Sequence, residues 1–207
     1  MKYLFSGVKL KSTLLSFQLL IIVLLVLPAQ TSFAGNKPVS ATPDDKFKVI
    51  TVFLARHAEK ETTPPEDPPL TAAGQERAQT LMRTLARTGI KTIYTSQFLR
   101  TRQTAEPLAK QLGVDVTVLA IKMDDKNPRK ISDQSYEEVV NKVYERAGES
   151  VLIVGHSNTL SEIIKRLGGD MMPSIDDKEF DDLFVVTIYA KGKAKVLRLK
   201  YGSKSTV

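Results

Sequence analysis

Apolar residues in this chain fall into short unbroken runs that alternate with longer segments of helical spacing. Phe47 to Leu54 (FKVITVFL) is β-branched and apolar between turn-forming stretches, which predicts a buried strand. From Thr71 to Thr88, Ala78, Leu81, Met82 and Leu85 recur at helical intervals, and Gly89 supplies a stop. A short strand at Thr92–Thr95, a helix at Arg100–Leu112 ended by Gly113, and a strand at Val114–Leu119 follow. Ile121–Gln134 is charged and contains Pro128, so it reads as a loop. Val139, Val140 and Val143 mark a helix over Ser135–Ala147, with Ser135 as its cap. Val151–Val154 is a continuous apolar strand, and Thr159–Leu167 is a helix that stops at Gly168-Gly169. After an acidic loop, Met171–Asp182, two strands (Leu183–Tyr189 and Ala194–Lys200) are joined through Lys191-Gly192-Lys193 as a closing hairpin. Strands alternating with helices predict an α/β fold: a three-layer α/β/α sandwich, mostly parallel, with helices on both faces and a C-terminal antiparallel hairpin.

The two ends break this pattern. Lys2, Lys9 and Lys11 precede Leu14–Leu27, which is almost wholly apolar, and Pro28 and Ser32-Phe33-Ala34 follow. A basic start, a short apolar run and small residues are the marks of a secretory signal, expected here as residues 1–34 with cleavage after Ala34. The run is shorter than the roughly 20 residues a membrane-spanning helix needs. An exported protein, periplasmic or secreted, is therefore expected, with no stable membrane span once the signal is removed; an uncleaved N-terminal anchor is the alternative. Residues 35–45 read as a flexible tether, 46–201 as one domain and 202–207 as a disordered tail.

Composition narrows the function classes. Without residues 1–34, 27 basic residues face 23 acidic ones, a mild surplus that suits an anionic substrate and gives no sign of nucleic-acid binding. There is no cysteine, which excludes disulfides, thiolate nucleophiles and Cys-based metal sites.

The chemistry concentrates on the two histidines. His57 follows the first strand and His156 follows Val151–Val154. Ligands of open α/β sheets bind beyond the carboxyl ends of the strands, so both rings are expected at one rim. Arg56 directly precedes His57, and a fixed cation there favours an anion over a metal. Arg100 opens a helix, where its planar fork joins free backbone N–H groups. Two arginines and two histidines with no metal-ligand set describe a phosphate clamp, with no cofactor implied.

Four stretches then match a known family in order. Ala55-Arg56-His57-Ala58-Glu59 resembles the Arg-His-Gly motif of the histidine phosphatase superfamily, which includes phosphoglycerate mutases and SixA-type phosphohistidine phosphatases. Pro69–Glu76 resembles its Leu-Thr-x-x-Gly segment, Tyr94–Ala105 its Ser-x-x-x-Arg-x-x-x-Thr-Ala segment, and Val154–Asn158 its Gly-His-Ser turn. The resemblance implies that His57 attacks phosphorus and becomes phosphorylated, while Arg56, Arg100 and His156 bind the phosphoryl oxygens. For that division His57 is expected neutral and His156 protonated.

Two departures bear on the expected reaction. Ala58 replaces the family's glycine, and Val116–Gln134 contains no glutamate where phosphoglycerate mutases supply a general acid. Glu59, Asp124 and Asp125 remain as candidate proton donors. A small phosphatase acting on a phosphorylated small molecule, or on a phosphohistidine-bearing protein, is expected ahead of a non-catalytic phosphate-binding module or a mutase.

Overall fold

The computed structural model describes residues 47–169 and 175–205. The expected leader and tether lie outside the described residues, as does the first part of the acidic loop. Strand β1 (Ile50–Arg56) is followed by α1 (Ala72–Leu85), β2 (Ile90–Thr95), α2 (Leu99–Leu112) and β3 (Val116–Val118). The second half adds α3 (Asp133–Tyr144), β4 (Ser150–Gly155), α4 (Ser157–Arg166), β5 (Asp182–Ala190) and β6 (Lys193–Lys200).

These strands form one sheet in the order β3-β2-β4-β1-β5-β6. The first four run parallel, β5 is antiparallel to β1, and β6 is antiparallel to β5. Period-two alternation along β1 supplies both faces. Ile50, Val52 and Leu54 join a cluster with Tyr136, Val140 and Val143 of α3 and Leu160, Ile163 and Ile164 of α4. Phe53 and Ala55 join another with Leu81 and Leu85 of α1 and Ala105, Leu108 and Ala109 of α2. The expected three-layer α/β architecture is therefore present, with a C-terminal antiparallel hairpin. Each fully buried Leu or Ile in these layers contributes about 1.5–3 kcal/mol relative to exposure.

Local differences have local causes. α3 starts two residues before the expected cap: the hydroxyl of Ser132 accepts from Ser135 N at 3.2 Å. Ser135 itself turns to the neighbouring loop and accepts from Lys122 N at 2.8 Å. β3 is a three-residue edge strand paired with β2 alone, shorter than the pattern suggested. Residues 202–205, expected as a disordered tail, turn back onto the domain. Ser205 is buried, accepts from Phe180 N at 2.8 Å, and donates its own N–H to Asp181.

Candidate active site

Sheet register brings the two histidines together. Ala55 of β1 and Thr95 of β2 both pair with Val154 of β4, so three adjacent strands end level. His57, Ser96 and His156 are the first residues past those ends, and His57 N extends the ladder to Gly155 O at 2.9 Å. The two imidazole centroids lie 5.3 Å apart. Ninety-nine residues of sequence thus close into one contact, as the strand-end placement suggested.

The tautomer of His57 follows from its partner. Its Nδ1 lies 2.8 Å from the carbonyl oxygen of Ala58, which can only accept, so Nδ1 carries the hydrogen. Nε2 is left with a free lone pair. Burial pushes the ring's pKa down to about 3, with the charges of Arg56 and Arg100 and neighbouring His156 adding to the effect. At neutral pH His57 is an uncharged imidazole aimed as a nucleophile needs. Ala58 N donates to Thr104 Oγ1 at 2.9 Å, fixing the turn from below. The Ala58 methyl, fully buried, packs with Leu70 and Ala78, so the extra carbon relative to glycine fills a small apolar cluster.

Both arginines flank the rings. Arg56 is held through Nη1 by the carbonyls of Asp176 at 2.8 Å and Glu179 at 3.0 Å, and its guanidinium lies 4.2 Å over the Phe180 ring. Arg100 stands at the start of α2, 4.3 Å over Phe98, with Nη1 3.8 Å from Asp67. The same Asp67 accepts from Leu99 N at 2.7 Å, so the proline-rich loop after His57 caps this helix. The Nε atoms of both arginines are buried without a partner. Two unanswered cationic donors beside a neutral imidazole are what an oxyanion would satisfy.

His156 differs from expectation. Burial, then the charges of Arg100 and Arg56, lower its pKa to about 4, so it is neutral in this structure and not protonated. A phosphoryl group on the clamp would bring the opposite charge and shift it back up. Its Nε2 lies 2.9 Å from Ser96 Oγ, which lies 2.9 Å from Thr101 Oγ1.

The rings open into a cleft of about 620 Å³. Its far wall is apolar (Phe98, Ile121, Met123, Ile131), with Lys60 and Arg129 among the charged residues at its edge. The expected proton donors are absent from it. Glu59, a candidate donor, is engaged elsewhere: both its carboxylate oxygens bind Arg77, at 2.7–2.9 Å, on the α1 side. Asp124 caps its own turn through Lys126 N and Asn127 N, and Asp125 lines a separate surface depression with it. Asp177 is the one carboxylate lining the cleft among the described residues; it lies 3.9 Å from Arg56 and accepts from Ser157 at 3.3 Å.

Several contributors carried no readable role in the sequence. Ser96, Thr101 and Thr104 were visible only as motif letters. Arg77 and Phe180 gave no signal, because their partners lie 18 or more residues away. Gly74 is explained by space: a Cβ there would overlap the Glu59 carbonyl, so the second motif packs directly against the first.

Comparison with known proteins bears on the fold and the family. Residues 52–122, which contain three of the four motifs, match the model of the histidine phosphatase superfamily (branch 1). No curated protein matches the chain in sequence. Among solved structures, SixA, a protein histidine phosphatase complexed with tungstate, superposes with a TM-score of 0.57 at 20% identity, covering 72% of this chain and 96% of that one. Phosphoglycerate mutase from Bacillus anthracis gives 0.58 at 17%, over 74% and 93%. Alpha-ribazole phosphatase from Shigella flexneri gives 0.54 at 18%, over 75% and 96%. At these identities what is shared is the fold.

Proposed function

We propose that this protein is a member of the histidine phosphatase superfamily that hydrolyses phosphate monoesters or phosphoramidates through a phosphohistidine on His57. The observation that carries the reading is the pairing of a neutral, Nδ1-protonated His57 with two arginines whose Nε–H groups have no partner. His57 Nε2 attacks phosphorus, the leaving-group bond breaks, and water then hydrolyses the phosphoramidate. Arg56, Arg100 and His156 hold the equatorial oxygens as charge redistributes. On the pattern of its leader the enzyme is exported, and its substrate is then a phosphorylated small molecule outside the cytoplasm. Incubation with an aryl phosphate should leave an acid-labile phosphoryl group on His57, and an unchanged rate in His57→Ala would refute the reading.

A cleft with one exposed carboxylate, Asp177, also supports a second reading, a phosphate-binding module without turnover. That module would show phosphate-dependent thermal stabilisation, lost in Arg100→Ala, with no hydrolysis of any leaving group. A mutase is the least favoured, and failure to interconvert phosphoglycerates would dispose of it.

A further inference from the structure

One buried chain of hydroxyls behind the clamp is unused by the steps above. His156 Nε2, Ser96 Oγ and Thr101 Oγ1 follow one another at 2.9 Å and 2.9 Å, and Thr101 Oγ1 reaches Phe98 O at 2.8 Å and Ser96 O at 3.1 Å. Thr101 is fully buried and Ser96 and His156 are nearly so, so no water takes over these bonds. Carbonyl oxygens only accept, which sends the single Thr101 hydrogen to Phe98 O or Ser96 O. Thr101 Oγ1 then accepts the Ser96 hydrogen, and Ser96 Oγ accepts from His156. The reverse order strips both carbonyls of the Thr101 hydrogen, or sets two lone pairs against each other at 2.9 Å.

We infer that Ser96 and Thr101 are positioning residues that hold the proton of His156 on Nε2 and so present Nδ1 as a proton acceptor. The inference rests on the phosphate-clamp reading of the site. Nδ1 makes no side-chain cap bond to α4, whose Thr159 N–H goes to the His156 carbonyl at 3.0 Å instead, and the ring lines the cleft. A phosphate monoanion entering the clamp gives its P–OH hydrogen to Nδ1. The O–H bond breaks, its electron pair stays on oxygen, and the Nδ1 lone pair forms the new N–H bond. The result is an imidazolium between Arg56 and Arg100 facing a phosphate dianion, with Nε2–H still on Ser96. His156 thus becomes a donor to the phosphoryl oxygens only once the anion is there, and the empty site avoids a third buried cation beside two arginines.

The chain has two histidines, so nitrogen-15 spectra of the labelled full chain resolve each ring, with His57→Asn for assignment. The free protein should show His156 neutral with hydrogen on Nε2, and saturating inorganic phosphate should convert it to the doubly protonated ring. Ser96→Ala and Thr101→Val should mix the tautomers of the free ring and weaken phosphate binding about tenfold, whereas Thr101→Ser should keep the wild-type pattern. Hydrogen on Nδ1 in the free wild type, a ring still neutral at phosphate saturation, or wild-type tautomers in both Ser96→Ala and Thr101→Val would each overturn the inference. These readouts need no turnover, so the expected spectra in a protein that hydrolyses nothing would sink the phosphatase reading and leave this one standing.

Discussion

Lowering the pH from 7 to 5 should cost this protein much of its stability through two residues alone. The unfolded chain titrates His57 and His156 near the ordinary value of 6.5, whereas in the folded state they stay unprotonated down to about 3 and about 4. Between those limits the unfolded state binds more protons, so stability rises with pH and is lost as pH falls below 6.5. Each histidine then contributes about 2 kcal/mol of loss between pH 7 and 5, and the pair about 4 kcal/mol. Ordinary carboxylates titrate below this window. Burial raises Asp181 and Asp182, but bonds to Lys200 and Arg198 more than offset it, so their effect is felt only in stronger acid. Urea unfolding at pH 7, 6 and 5 in phosphate-free buffer reads the loss directly, provided the denaturant slope is unchanged. A His57→Asn/His156→Asn variant should be nearly flat over the same range. A wild-type loss below about 1 kcal/mol, or an equal loss in the double variant, would refute the burial argument.

Other substitutions separate chemistry from scaffolding. Glu59→Gln should lower stability by about 2 kcal/mol, because it weakens a largely buried pair with Arg77, and should leave the dependence of rate on leaving-group pKa unchanged; a changed slope would restore Glu59 as a donor. Lys60→Ala/Arg129→Ala should raise KM roughly tenfold for a phosphomonoester bearing a second negative group, and hardly at all for a simple aryl phosphate, since both line the cleft without an ion-pair partner among the described residues. Ser205→Ala should reduce kcat several-fold more than it reduces the melting temperature would suggest, because Ser205 holds Phe180 against Arg56; equal kcat would remove the tail from the site. Across a leaving-group series, rates of the wild type should fall steeply as leaving-group pKa rises, and a flat series would show a working acid, with Asp177 the residue to replace.

The layers and strand ends were legible in the sequence because they depend on local patterns. The β1 run, the Gly113 stop and the helical spacing of Leu81 and Leu85 each need only neighbours along the chain to be read. His57 and His156 were legible for a related reason: a strand end is a local feature, and parallel pairing turns two such ends into one rim. What the sequence did not carry was the set of partners reached only through the fold. Glu59 stands two residues from His57, and nothing nearby reveals that Arg77, on the next helix, claims its carboxylate. The protonation state of His156 in the empty site was not legible for the same reason. A second histidine in a phosphate clamp suggests a cation, but charge is set by burial and by Arg56 and Arg100, which converge from other strands and helices. Hydroxyls behave likewise. Ser96 and Thr101 are five residues apart and look like motif filler, yet the strand-to-helix turn stacks them behind His156, where a carbonyl at the end of the chain dictates which nitrogen holds the proton. In this site residue types point to an anion, while the three-dimensional surroundings decide where each proton sits.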